Sequence, residues 1–150
     1  MQHQSSLETL GRLFQQNVAG ALAAALFFGA SLSPSLMPRG TLEQGILAGA
    51  CAAIGFGIGI LLRKLWVFLE LPVAADPFLS SFRRLGYGVA GVIVLAALWF
   101  SADWQNITRA AVGLDPVETA YPFWISAAAI ATLAFIFVVC VFIHLGWAFV

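Results

Sequence analysis

Charge is what this sequence has least of. Of its 150 residues, 9% are charged and 61% are hydrophobic, whereas an ordinary soluble domain carries about 25% charged residues. A chain this short cannot hide so much apolar surface in one aqueous core, because small domains leave much of their surface in water. A soluble globular fold is therefore excluded, and hydrocarbon is the solvent that remains. An excess of basic charge is also missing. Seven Lys/Arg balance seven Asp/Glu, which leaves no basic surface for nucleic acid. Cysteine is scarce as well. Cys51 and Cys140 both lie inside apolar runs, at depths that differ by about 10 Å at the helical rise. That separation argues against a disulfide and for small buried hydrophobes. No metal or cofactor is implied by the residues present.

What is there is a set of four long apolar segments between polar punctuation, at about residues 18–32, 42–62, 85–100 and 123–145. Lengths near the ~20 residues that a bilayer core requires make each a candidate span, the third shorter and extended by snorkelling ends. The fold class is all-α: a polytopic membrane protein, a bundle of about four transmembrane helices, with a polar tail over 1–16 and the transmembrane domain over 17–150. None of the four interiors contains Asp, Glu, Lys or Arg, so the usual mark of an ion or proton pathway is lacking. Arg12 and the run from Val18 to Phe28 resemble the start of a signal peptide, but the apolar run continues through Ser31-Leu32-Ser33-Pro34 without an A-x-A pattern, so a retained helix is expected.

Positive charge sets the orientation. Arg12, Arg63, Lys64, Arg83 and Arg84 fall on one side of the alternating topology, and Arg39 and Arg109 on the other. Five against two predicts cytoplasmic N- and C-termini and an outward third loop. His144 reads as an interfacial histidine near the cytoplasmic end of the fourth span. Trp99, Trp104, Tyr121 and Trp124 gather at the outer ends, where aromatic belts sit.

Burial in lipid does not drive helices together; close backbone approach does. Gly45, Gly49, Ala53 and Gly57 recur every four residues in the second span, as do Ala21, Ala25, Gly29 and Ser33 in the first. The two stripes are expected to face each other in an antiparallel hairpin. Gly55-Phe56-Gly57-Ile58-Gly59 lies within a continuous apolar run, not at the strand-to-helix turn a phosphate-binding loop needs. Between the spans, Ser33, Pro34, Ser35, Pro38 and Arg39 form a rigid outer turn, since two prolines four apart do not both fit a helix interior. Thr41 with Gln44 has the spacing of a capping box. The segment Leu65–Pro72 is expected to extend the second helix or lie in the interface. In the third loop, Asp103–Leu114 reads as a short amphipathic helix ended by Gly113, with Trp104, Ile107 and Ala111 on one face.

These elements together resemble a known family. Ser31-Leu32-Ser33-Pro34-Ser35-Leu36-Met37-Pro38-Arg39, Gln44-Gly45, Leu69-Glu70-Leu71-Pro72, Trp104-Gln105-Asn106, Arg109, Asp115-Pro116 and Tyr121-Pro122 are similar to the N-terminal transmembrane domain of the bacterial α/β-hydrolase-like membrane proteins, over about residues 20–145. The resemblance implies a larger C-terminal α/β-hydrolase-like domain that would hold any G-x-S-x-G nucleophile elbow. These 150 residues contain no such motif, so no catalytic residue carries over and the chain as read is not an enzyme; whether it is a piece of a longer protein stays open. The leading expectation is a domain of the bacterial inner membrane that anchors the hydrolase-like domain and presents lipid-like substrate to it, with membrane lipids and that domain as partners. The alternative is a small transporter or channel subunit, which requires a homo-oligomer; an intramembrane enzyme using His144 or serines ranks last. The residues singled out as structural or partner contacts are Ser33, Pro34, Ser35, Pro38, Arg39, Gly45, Gly49, Gly57, Trp104, Gln105, Asn106 and Arg109.

Overall fold

A computed structural model describes residues 17–34, 39–71 and 76–147; the tail expected over 1–16 lies outside them. Four helices follow in order: α1 (Val18–Leu32), α2 (Thr41–Phe68), α3 (Asp76–Ala111) and α4 (Pro122–Trp147). There is no strand among the described residues. The protein is an all-α polytopic membrane bundle. Three stretches, Thr41–Phe68, Ser81–Ala111 and Pro122–Leu145, are long and apolar enough to cross a membrane. With 15 residues, α1 is about 22 Å long and by itself spans less than the ~30 Å of a hydrocarbon core.

The helix ends show why the boundaries fall where they do. At the start of α1, Asn17 Oδ1 accepts the Gly20 N–H at 2.9 Å, satisfying one of the free donors of a first turn. The cap of α2 corrects the expected register. The capping residue is Gly40, not Thr41, and its N–H donates to Glu43 Oε2 at 3.3 Å. Gln44, the residue assigned to the box, is turned into the bundle. Beyond Phe68, Leu71 N–H reaches Trp66 O and Glu70 N–H reaches Val67 O, a Schellman ending with Glu70 at φ 52°. The helix thus runs through most of Leu65–Pro72 before it closes; Pro72 lies outside the described residues.

The third helix differs more. A short span followed by a separate amphipathic helix was the expectation; α3 instead runs unbroken for 36 residues. Nothing between Val92 and Val112 is a proline or glycine, and Ser101 Oγ folds back on Leu98 O at 2.7 Å, so no group competes for the ladder. The ending is the expected one: Gly113 at φ 72° closes a second Schellman motif, through Leu114 N–H to Arg109 O and Gly113 N–H to Ala110 O.

In the bundle, α1 packs between α2 and α3, α2 packs between α1 and α4, and α3 and α4 barely meet. The glycines fix the directions. A methyl carbon placed on Gly55 would lie 2.6 Å from Ala23 O, and one on Gly59 would fall onto Gly20 Cα. Ascending α2 therefore matches descending α1. Gly45 meets Ile125 O and Gly49 meets Ala129 O, so α2 and α4 run parallel; Gly86 meets Val18 and Gly29 meets Ala97, so α1 and α3 do too. The chain goes up, down, up, down.

These contacts also correct the expected stripe. Gly45 and Gly49 face α4 rather than α1, Gly55 and Gly59 face α1, and nothing lies within 4 Å of a methyl on Gly57. A four-residue repeat advances about 40° past a full turn at each step. Over three steps Gly57 rotates about 120° away from Gly45 and leaves the interface. In α1 the same drift turns Gly29 toward Ala97 and Ile93 of α3.

The core is built of small residues. Buried apolar positions include Ala25, Ala48, Ala52, Ala90, Ala97 and Ala129, with Phe28, Leu32 and Ile125 as the bulkier members, while Phe68 and Trp99 are 81% exposed. That inversion of a soluble core is what lipid on the outside and close helix approach on the inside require. Cys51 is half-buried, Cys140 is exposed, and both are free.

Candidate functional site: a polar clamp at one end of the bundle

Three consecutive residues on a helix point about 100° apart. In Trp104-Gln105-Asn106 each therefore reaches a different part of the molecule. Trp104 is half-buried and packs against the core cluster that holds Phe28, Leu32 and Ile125, with its ring centroid 6.3 Å from that of Phe100. Gln105 Nε2 donates to Gln44 Oε1, tying α3 to the buried first turn of α2. Asn106 brackets the loop: its Nδ2 donates to Val117 O at 3.0 Å and its Oδ1 accepts Val117 N–H at 2.8 Å. One turn on, Arg109 Nε donates to the backbone oxygen of Asp115 at 2.6 Å. The loop 112–121 is thereby fastened against the end of α3 and delivers the buried Ala120 to the core.

The remaining singled-out residues fall into three groups. Gly45, next to Gln44, and Gly49, about one turn further on, lie in the α2–α4 contact. Ser33, Pro34 and Arg39 are exposed at the same end, where Ser33 Oγ donates to Ala30 O at 2.6 Å; Ser35 and Pro38 lie outside the described residues. Gly57 stands apart on an open face. Trp99, Tyr121 and Trp124 are exposed near the clamp end, whereas Trp104 belongs to the core.

Hydroxyls of the helices serve their own backbones. Ser31 donates to Phe28 O, Ser101 to Leu98 O, Thr108 to Trp104 O and Thr132 to Ala128 O. Each of these hydroxyls is engaged with a carbonyl of its own helix, an arrangement that serves apolar surroundings. Among the described residues no three His, Cys, Asp or Glu side chains gather as metal ligands. His144 is exposed in the last turn of α4, at the opposite end.

Sequence reading missed two things. One is the partnership of Gln44 and Gln105, signalled only by a glutamine one turn inside an apolar helix. The other lies at the far end of the bundle. Asn17 is 1% exposed, and its Nδ2, like Nη1 of half-buried Arg63, is a buried donor without a hydrogen-bond partner.

An all-helical, several-span membrane domain whose polar end is closed by its own side chains defines the class. Within that class, residues 32–150 match the family described as the alpha/beta-hydrolase family N-terminus, and the chain belongs to it. No curated protein and no solved structure matches the chain.

Proposed function

We propose that this chain is the membrane-embedded N-terminal domain that anchors an α/β-hydrolase-like domain in the bacterial cytoplasmic membrane and presents lipid-like substrate to it. The observation that carries the reading is the family match to an N-terminal region in a chain with three helices able to cross a bilayer. A tether needs one span; a packed bundle offers a companion domain a rigid platform. Arg63, Lys64, Arg83 and Arg84 collect at one end of the alternating helices, with Arg39 and Arg109 at the other. The basic end is cytoplasmic on that distribution, which puts the clamp and the loop 112–121 outside.

The test is to express the full gene product with and without residues 17–147 and to follow the hydrolase-like domain by fractionation. It sediments with membranes only when these residues precede it. A domain that sediments equally well alone would end the anchoring reading. The channel-subunit reading draws on the glycines that face open space, Gly57 on α2 and Gly88 and Gly91 on α3, where a second copy would pack; cross-linking that yields only monomer in membranes would remove it.

A further inference from the structure

The two orphaned donors lie at the same level of the bundle. The crossing of Gly20 over Gly59 sets the register of antiparallel α1 and α2, and three to four residues further along each helix stand Asn17 and Arg63. Side by side at the same level, α3 contributes half-buried Arg83, three residues before Gly86, whose methyl position is filled by Val18 of α1. Asn17 Oδ1 is engaged with the Gly20 N–H, which fixes the amide and leaves Nδ2 as its free group. Both unsatisfied side-chain atoms here are donors, Asn17 Nδ2 and Arg63 Nη1. A helix N-terminus favours negative charge, and a buried donor left without an acceptor costs about 1–3 kcal/mol, more when charged.

We propose that this cluster of donors at the start of α1 binds a phosphate group, that of an anionic phospholipid in the leaflet at the basic end. The arrangement leaves room in the hydrogen-bond inventory for a phosphate oxygen, because no described acceptor bonds to Asn17 Nδ2 or Arg63 Nη1. The guanidinium groups supply charge-assisted hydrogen bonds, and the level of the cluster, where the basic residues end the apolar bands of α2 and α3, is headgroup depth. This inference rests on the membrane reading of the fold and stands apart from the anchoring role.

Native mass spectrometry of the purified chain in a neutral detergent tests it, with titrations of phosphatidylglycerol, phosphatidylcholine and inorganic phosphate. Asn17→Asp keeps the oxygen that caps Gly20 and replaces the free donor by a carboxylate; Arg63→Gln removes the buried charge; Arg109→Gln at the other end is the control. One phosphatidylglycerol is expected to stay bound, about tenfold tighter than phosphatidylcholine, and to be weakened about tenfold by either Asn17→Asp or Arg63→Gln, the loss of one charge-assisted bond, with Arg109→Gln unchanged. Circular dichroism of Asn17→Asp checks that α1 is intact, and Arg63→Gln stands as the second variant if it is not. Retention of inorganic phosphate with equal sensitivity to both variants, and no lipid, would move the site to a soluble phosphate donor and overturn the lipid assignment. Lipid binding indifferent to Asn17→Asp and Arg63→Gln would overturn the site.

Discussion

The two ends of this bundle solve the same problem in opposite ways. At the clamp end, polar side chains from different elements pair with one another: Gln105 with Gln44, Asn106 with both backbone groups of Val117, Arg109 with the Asp115 carbonyl. At the basic end, helices meet through bare backbone, Gly20 on Gly59 and Gly86 on Val18, and the buried donors Asn17 Nδ2 and Arg63 Nη1 are left over. Among the described residues the first end leaves no buried side-chain donor unpaired. The second is tight in its packing and open in its hydrogen bonding. The bundle is fastened where it carries the loop 112–121 and, on the lipid proposal, receptive at its basic end.

Substitutions can break or sharpen this contrast. The largest effect is expected at the basic end. In Gly59→Leu the new side chain falls on Gly20 backbone that cannot yield, and unfolding in mixed detergent micelles should show a loss of at least about 3 kcal/mol; Gly57→Leu, two residues away on the open face, should match the parent. Equal losses would show that these glycines do not set the helix contacts. Next comes the clamp. Asn106→Ala removes both bonds to Val117, about 2 kcal/mol, and hydrogen exchange at Val117 and its neighbours should rise while α1 and α2 keep their protection. Gln105→Leu leaves Gln44 buried and unpaired, about 1.5 kcal/mol, and adding Gln44→Leu should restore most of it; a double variant as weak as the single would mean that the pair is not what holds α3 there. Gly113→Ala places a side chain at φ 72° and should lower stability by about 1 kcal/mol. Smallest of all, Arg63→Gln in lipid-free detergent should not destabilise the bundle and should raise its stability by up to about 1 kcal/mol, because it removes a buried charged donor that has no partner.

Much of the fold is legible in the sequence because lipid imposes a simple rule: backbone groups must be satisfied within each segment. Four charge-free runs bounded by polar residues therefore give four helices, and Gly113 gives an end. Three particulars are not legible. Glycines four apart read as one stripe, but the 3.6-residue turn divides Gly45 and Gly49 from Gly55 and Gly59 and sends them to different neighbours. The polar stretch after Phe100 reads as a loop with its own helix, yet lacking a breaker it simply prolongs α3. The cap of α2 slips by one residue because Glu43 lies three positions after Gly40, and Gln44 has a better partner 61 residues away that no local pattern announces. Of the clamp, the Trp104-Gln105-Asn106 element and Arg109 stand out in the chain; Val117 does not, since its part is played by its backbone. Asn17 and Arg63 look ordinary until the Gly20–Gly59 crossing brings them level.

Everything rests on the two ends facing opposite sides of a membrane. The direct measurement uses single cysteines in a background without Cys51 and Cys140, one replacing Arg84 at the basic end and one replacing Glu118 in the loop 112–121. Each is treated with a membrane-impermeant maleimide in intact spheroplasts and again after lysis. Labelling of position 118 before lysis and of position 84 only afterwards is the expected outcome. Labelling of both positions from the same side would contradict the bundle as a spanning structure.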